Sequence, residues 1–497
     1  MSGPSLKRQA LSGMRWTVSA RVLVQLVTWP STIIVMRLLD PRDYGLVAMS
    51  TVVIGFMSMF GDPGLAAGLV QTDVLRDETS RAASALVALI NLLLLGVLIL
   101  AAPSIAAWYK EPELTQLIRV ASLSLLITAM ATVPQAHLAR NLRFREMALA
   151  LIAGSVAGSL ATILCAILGF GVWSLILGTL VLSALRSIVI IAYNRSAVWP
   201  DLSKGFEPVR HLMHFSAHML GNRVLWYCSM NLDVIVLGRL VHSTQLGSYS
   251  VGANLAAIPG DKAMDAVNRV SFPTLSRMRS NRAQFNSTYE RMLRMLALYG
   301  FLVGWGLAAV APEFVYVVLS DKWRFAVIPL AMLSIAAPIR MLTAFQNTVC
   351  NAAGIPQAST KVLGLTCLML PAGILVGVRV AGINGAAVSC VVVYAILFFV
   401  STLYTRRVTE RDMRANLQLI LVPLVAGIAM LIITWALRAL LFVHLPATVL
   451  LGVEIVAAVV AFLGTVHVLG PADLSDARAL LRELLRTEKT ANMDMSS

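Results

Sequence analysis

The chain has 497 residues, 58% of them hydrophobic and 13% charged, with a formal net charge of +15. A soluble domain carries about 25% charged residues, so a single soluble fold is excluded, and the nucleic-acid reading that +15 would otherwise invite goes with it. The five cysteines, Cys165, Cys228, Cys350, Cys367 and Cys390, fall inside apolar segments without paired spacing, which argues against a disulfide framework or a thiolate metal site.

Apolar segments long enough to cross a bilayer recur along the whole chain. They lie near 15–37, 44–64, 84–107, 114–137, 147–168, 171–193, 211–238, 246–275, 288–311, 326–347, 360–379, 382–404, 415–438 and 446–468. The fold class expected is an all-α polytopic membrane protein of about fourteen spans. The first segment contains Arg21 and lacks a small-residue cleavage site, so it reads as a span rather than a signal peptide. Arg21, Gln25, Thr28 and Thr32 share one helical face. Arg119 and Arg186 lie within or near spans 4 and 6. His211, His214 and His218 open span 7 at near-helical spacing. No carboxylate or thiol completes a metal set beside them, and interface histidines are the better reading.

Spans 7 and 8 are the most polar. The first carries Asn222 and Arg223, and places Arg223, Trp226, Met230 and Asp233 in one stripe. The second places Asn254, Asp261, Asp265 and Asn268 on one face, with Lys262 and Arg269 close by. Charge inside a bilayer costs roughly 2.5–3.5 kcal/mol per residue on insertion scales, so this hairpin reads as one wall of a polar cavity. Pro259-Gly260 marks a place where kinking or unwinding costs little. Further on, Arg340, then Gln346, Asn347 and Asn351, occur in and just past span 10, and Glu454 in span 14.

With the N-terminus placed in the cytoplasm, most of the 40 Lys and Arg fall in cytoplasmic segments. Arg140, Arg143 and Arg145, then Arg277, Arg279 and Arg282, then Arg406, Arg407, Arg411 and Arg414 are the densest groups. This positive-inside bias puts both termini in the cytoplasm. Trp16, Trp108, Tyr109, Trp173, Tyr193, Trp323 and Tyr404 fall at span ends, as aromatic belts do.

The sequence also repeats. RLLDPRDYG (37–45) follows span 1 and RLVHSTQLG (239–247) follows span 7; later, GFGVW (169–173) and GINGA (382–386) each open a span. Six spans separate the copies, so they face the same way, as parallel transporter repeats do. The shift that carries Arg37 onto Arg239 also carries Arg21 onto Arg223. The expected organisation is an N-lobe over 1–195, a cytoplasmic linker over 196–210 and a C-lobe over 211–405. Two added spans over 406–469 and a cytoplasmic tail over 470–497 complete it. Substrate is expected between the lobes.

Residues 16–71 resemble the opening of Wzx-type polysaccharide flippases, members of the multidrug/oligosaccharidyl-lipid/polysaccharide exporter superfamily. The resemblance rests on the R-L-L-x-P-x-x-Y/F-G turn, here Arg37 to Gly45, and on the D-x-G-L sequence from Asp62 to Leu65 that ends span 2. The six-plus-six repeat and the two added spans extend it over almost the whole chain. It implies a non-enzymatic protein of the bacterial inner membrane. Its task would be to move undecaprenyl-pyrophosphate-linked oligosaccharide from the cytoplasmic to the periplasmic leaflet by alternating access, for exopolysaccharide or lipopolysaccharide biosynthesis. Expected partners are the lipid-linked oligosaccharide, the bilayer and the polysaccharide polymerase and export machinery, with no nucleic acid.

A pyrophosphate suits guanidinium, which is always charged, planar and rich in donors. Arg21 and Arg223 are therefore the first-choice contacts, with Arg269, Lys262, Gln25 and Asn222 as further substrate-binding candidates. The competing reading is snorkelling for Arg21, pairing with Asp265 for Arg269, and pairing with Asp261 or Asp265 for Lys262. Asp233, Asp261 and Asp265 are candidates for coupling to H+ or Na+, against the blander role of balancing nearby cations. Gln346, Asn347 and Asn351 are candidates for sugar contacts, Asp62 for a helix-end role. No cofactor is expected. Three rival readings are weighed: a drug/cation antiporter of the same superfamily, a membrane polysaccharide polymerase or ligase, and a scaffold for a polysaccharide assembly complex. The short external segments, the longest near 311–325, count against the polymerase. The chain lacks the G-x-x-x-x-G-K-[ST] loop of P-loop nucleotide hydrolases.

Overall fold

A computed structural model describes residues 6–62, 64–71, 76–194, 210–441 and 445–470. The expected linker over 196–210 and tail over 470–497 thus fall almost wholly outside the described residues. Among those described, every regular element is helical. A chain this apolar satisfies its backbone donors and acceptors within each helix, because hydrocarbon offers them no partner.

Among the described residues, eleven helices are long and apolar enough to cross a membrane. One of them, Pro356–Thr409, is broken in the middle, where Ala381 takes φ −145° and Gly382 φ +59°, so it supplies two arms of span length. Arg210–Leu240 and Ser243–Arg277 have the length but are more polar than the rest. Dividing the broken helix and admitting these two gives fourteen segments of span length.

The chain divides into two compact units, residues 1–247 and 248–497. The first unit holds α1 (Leu6–Leu38), α2 (Pro41–Gly61), α3 (Leu65–Gln71), α4 (Asp77–Tyr109), α5 (Leu114–Ala121) and α6 (Leu123–Arg140). It continues with α7 (Phe144–Ile167), α8 (Val172–Tyr193), α9 (Arg210–Leu240) and the first turn of α10 (Ser243–Arg277). The turn motif has a clear local logic. Pro41 opens α2, where its missing N–H costs nothing, and the Asp40 N–H donates to the Asp43 carboxylate at 3.1 Å. At the other end of α2, Asp62 accepts from the Ala66 N–H at 3.3 Å. That is the helix-end role expected of it, and it starts α3. Packing of α7 on α8 uses small residues: a Cβ on Gly158 would sit 2.9 Å from the Gly178 carbonyl oxygen.

The two copies of the turn motif meet each other. A Cβ on Gly45 would lie 1.9 Å from the Ser243 carbonyl oxygen, and one on Gly247 would lie 1.7 Å from the Pro41 carbonyl oxygen. The sequence shift that carries Gly45 onto Gly247 also carries Pro41 onto Ser243. The contact is therefore reciprocal, as a pseudo-two-fold axis through the two helix starts requires. Both copies keep glycine because only hydrogen fits there.

The second unit holds the rest of α10, then α11 (Arg282–Gly300), which passes through a π-turn, Phe301–Trp305, into α12 (Gly306–Ala309) and α13 (Ala311–Phe314). A second π-turn and a short 3-10 segment, Asp321–Ala326, lead to α14 (Val327–Ala352). The unit closes with α15 (Pro356–Thr409), α16 (Met413–Leu441) and α17 (Ala447–Leu469). The two added spans, α16 and α17, contribute Met430 and Phe462 to one core with Phe285, Phe301 and Trp305. Tyr289 stacks on Phe345, with ring centroids 6.0 Å apart, and its hydroxyl donates to Asn416 at 3.3 Å.

The backbone revises one alignment. Gly382 (φ +59°, ψ −141°) is matched by Gly171 (φ +54°, ψ −131°), which caps α8, rather than by Gly169. The repeat in this region is shifted by two residues from the register of the GFGVW and GINGA strings, because the left-handed glycine is the constrained position.

Candidate functional site

In the first unit, α9 packs on α2, with Tyr227 at the centre of the contact and Gly238 passing close to Met49. The Tyr227 hydroxyl donates to the Val52 carbonyl at 2.9 Å and passes close over Gly55, with its ring 6.3 Å from that of Phe56. Beside that contact, Arg223, Trp226 and Met230 are all exposed. The expected stripe is thus a real face, and no described helix covers it. Asp233 ends it half-buried, where its carboxylate accepts from the Val234 N–H at 2.8 Å. Arg21 is exposed on α1 and Gln25 half-buried one turn on. Among the described residues neither Arg21 nor Arg223 forms an ion pair. Thr28 and Thr32, on the same face, return their hydroxyls to the carbonyls of Val24 and Thr28. The side chains of Asn222, His211, His214 and His218 lie outside the described residues.

In the second unit, α10 runs beside α14 in the same direction. A Cβ on Gly252 would lie 2.9 Å from the Leu330 nitrogen; further along, Arg340 pairs with Asp261 at 3.0 Å, and Thr348 donates to Asn268 at 2.9 Å. These contacts join one helix face to its neighbour at matched steps. They also change the pairing expected along α10. Asp261 is taken by Arg340 from α14, so it does not neutralise Lys262. Among the described residues, Arg269 and Asp265 form no pair either. Each lies exposed, as does Lys262. The patch therefore carries two cations, Lys262 and Arg269, against one free carboxylate, Asp265. Its net charge stays positive after Asp261 and Arg340 cancel.

Pro259 and Gly260 do not unwind α10, which is helical from Ser243 to Arg277. The Pro259 carbonyl instead accepts from the Tyr299 hydroxyl at 3.2 Å.

The span-10 amides divide. Gln346 is fully buried and donates to the Thr402 hydroxyl at 2.9 Å, so a sugar could reach it only if α14 and α15 separated. Asn347, half-buried, accepts from Ser401 at 3.5 Å; Asn351, exposed, accepts from Ser359 at 2.8 Å. Among the described residues there is no cluster of three or more His, Cys, Asp or Glu able to hold a metal ion.

Sequence reasoning noted Arg340 without giving it a role, and missed Thr348. Both sit on α14, two and ten residues past Pro338, at positions where only the partner helix shows what they do.

Comparison with known proteins follows the same lines. A family model described as "Polysaccharide biosynthesis protein" matches residues 34–328. The succinoglycan biosynthesis transport protein ExoT of Rhizobium meliloti is 26% identical over 95% of this chain and 94% of its own length. The lipopolysaccharide biosynthesis protein WzxC of Escherichia coli is 24% identical over 79% of this chain and 80% of its own. Among solved structures, the lipid II flippase MurJ in an inward closed conformation superposes with a TM-score of 0.69, 15% identity and coverage of 90% and 98%. An inward-facing multidrug resistance MATE transporter gives 0.60 at 17% identity, over 78% of this chain and 95% of that one. The structural matches establish the exporter fold; the family match reaches from the end of α1 into α14.

Proposed function

The chain belongs to the polysaccharide biosynthesis protein family, and from that premise we propose that it is a flippase. Its substrate would be an undecaprenyl-pyrophosphate-linked oligosaccharide, carried from the cytoplasmic to the periplasmic leaflet by alternating access. The observation that carries this reading is the set of span-depth cations left exposed and unneutralised: Arg21 and Arg223 in one unit, Lys262 and Arg269 in the other. Desolvated cations without internal partners are retained where an anion visits. Guanidinium meets a pyrophosphate oxygen pair with two parallel bonds, which ammonium cannot do.

On this reading Arg21 and Arg223 hold the pyrophosphate, with Gln25, Asn222, Lys262 and Arg269 as further substrate contacts. Asn347 and Asn351 meet sugar hydroxyls, with Gln346 joining only in a state that opens the α14–α15 contact. Asp265 is better placed than the paired Asp261 to exchange H+ or Na+, and Asp233 is a further candidate. Both termini lie in the cytoplasm, the membrane is the bacterial inner membrane, and the product passes to polymerase and export machinery. The two lobes are the parallel repeats over 1–195 and 211–405.

The test is depletion in a polymer-producing host. Loss of the protein should leave complete lipid-linked oligosaccharide accumulated at the cytoplasmic leaflet and shielded from a periplasmic ligase. Accumulation of truncated oligosaccharide, or of complete units already exposed to the periplasm, would contradict the reading.

A further inference from the structure

Span 14 reads ATVLLGVEIVAAVVAFLGTVHVL, with one acidic residue, Glu454, in an otherwise apolar stretch. Glu454 is 0% exposed and Glu313, on α13, is 4% exposed. Both carboxylates converge on one cation, Arg438 near the end of α16. Its Nε donates to Glu454 Oε1 at 3.1 Å. Its Nη2 faces Glu454 Oε2 at 3.3 Å, the Ala309 carbonyl at 2.8 Å and, in a short contact, Glu313 Oε2.

This arrangement does not balance if every group is ionised. Two carboxylates and one guanidinium leave a net charge of −1 around two buried carboxyl groups, where like charges on neighbouring carboxylates strongly oppose joint ionisation. The donors fall short as well: Nη2 has two N–H groups and three acceptors around it. Glu313 Oε2 and Glu454 Oε2 contact the same guanidinium nitrogen, so the two carboxylates are held close together around one atom.

Among the described residues, neither carboxylate pairs with a cation other than Arg438. α12 and the π-turn Phe301–Trp305 carry no charge, and the turn Val315–Leu319 contributes only the exposed phenol of Tyr316. The 3-10 segment before α14 carries the exposed Asp321 and Arg324 and the half-buried Lys322. On α14, Arg340 is engaged by Asp261. Beyond Glu454, the titratable group on α17 is His467, in its last turn. On α16 it is Arg414, in the first turn.

We propose that Glu313, Glu454 and Arg438 form a proton-binding site, with one proton shared between the two carboxylates. Arg438 is the member that reaches open space, at a cleft of about 370 Å³ lined by Ala309, Met332, Thr434 and Trp435. On deprotonation the carboxylic O–H bond breaks and the proton leaves to water. Both carboxylates then stay on Arg438, and the triad passes from neutral to −1. The inference stands on this buried geometry alone and does not depend on the flippase reading.

The experiment is infrared difference spectroscopy of the purified full-length protein in nanodiscs, between about pH 5 and pH 9, the range over which buried carboxyl groups titrate. Wild type should show a carboxylic-acid carbonyl band that declines as pH rises. Glu313→Gln and Glu454→Gln should each abolish that band, because the single carboxylate left is then matched by Arg438 and ionises. Both variants keep a hydrogen-bonding side chain of the same shape, and size-exclusion profiles report whether they fold. Arg438→Gln should instead strengthen the band, since neither carboxylate then has a cation. No acid band in wild type, a band indifferent to pH, or a band that survives in a folded Glu313→Gln or Glu454→Gln variant would each overturn the proposal. The wild-type measurement decides even if a variant fails to accumulate.

Discussion

The reciprocal glycine contact offers a perturbation whose size follows from the coordinates. In Gly45→Ala, the new methyl would fall 1.9 Å from the Ser243 carbonyl oxygen, 2.7 Å from its carbonyl carbon and 3.1 Å from the Gly247 nitrogen. All three obstacles are backbone, so no rotamer change relieves the clash. Ordinary contact begins near 3.4 Å, and the starts of α2 and α10 must part by about 1.5 Å to restore it, a shift of the overpacking kind. Overpacking of this kind costs roughly 1–3 kcal/mol. If a transport state exists in which these helix starts are apart, the variant favours that state by about 5- to 150-fold. Ser243 is only 3% exposed, so Ser243→Cys in the Gly45 background should react slowly with a membrane-impermeant maleimide. Adding Gly45→Ala should raise the labelling rate by a factor in that range. Gly247→Ala, which strikes the Pro41 carbonyl, should do the same to Ser243→Cys from the other side of the contact. Monodisperse Gly45→Ala and Gly247→Ala proteins that both label at the Ser243→Cys control rate would refute the reasoning.

Other expectations follow from the site. Arg21→Ala and Arg223→Ala should each remove charge-assisted bonds of about 1.5–3 kcal/mol and slow flipping roughly tenfold or more, with Lys rescuing in part. Wild-type rates in both expressed variants would move the anion site to Arg269 and Lys262. Asp261→Asn should cost no more than about 1 kcal/mol of stability, since a pair this exposed is screened by solvent. The exchange Asp261→Arg with Arg340→Asp should restore what the single changes lose, as melting in detergent would show. Replacement of Asp265 by Asn should alter the H+ or Na+ dependence of flipping more than replacement of the paired Asp261; equal effects would return Asp265 to plain charge balance. Cysteine labelling should place 277–282 and 406–414 in the cytoplasm and 318–324 outside, and external labelling of 277–282 would reverse the topology.

The sequence disclosed whatever rests on local chemistry or long periodicity. Spans were legible because hydrocarbon demands long apolar helices. The repeat was legible at Arg37–Gly45 and Arg239–Gly247 because the same packing problem, a helix start pressed on a helix start, requires glycine twice. The exposed face through Arg223, Trp226 and Met230 followed from helical spacing alone. Pairing across helices did not. Asp261 had nearer candidates on its own helix, yet its partner is Arg340, 79 residues away. Gln346 read as a span-end amide open to a ligand, but Thr402, 56 residues on, encloses it. Glu454 stood out as a charge in span 14, while Glu313 lay in a stretch read as an external loop. Only the chain's return in α16 brings Arg438 between them. Helix periodicity orders residues around one axis; it carries no information about which face of which other helix arrives there.

The central claim is lipid-linked oligosaccharide transport by this chain alone, and reconstitution tests it most directly. Purified protein in proteoliposomes, given a defined undecaprenyl-pyrophosphate-linked oligosaccharide on one leaflet, should expose that substrate to a glycan-cleaving enzyme on the other side. The rate should exceed that of protein-free vesicles and fall in Arg223→Ala. Exposure no faster than in protein-free vesicles, from correctly folded protein supplied with its native repeat unit, would contradict the account.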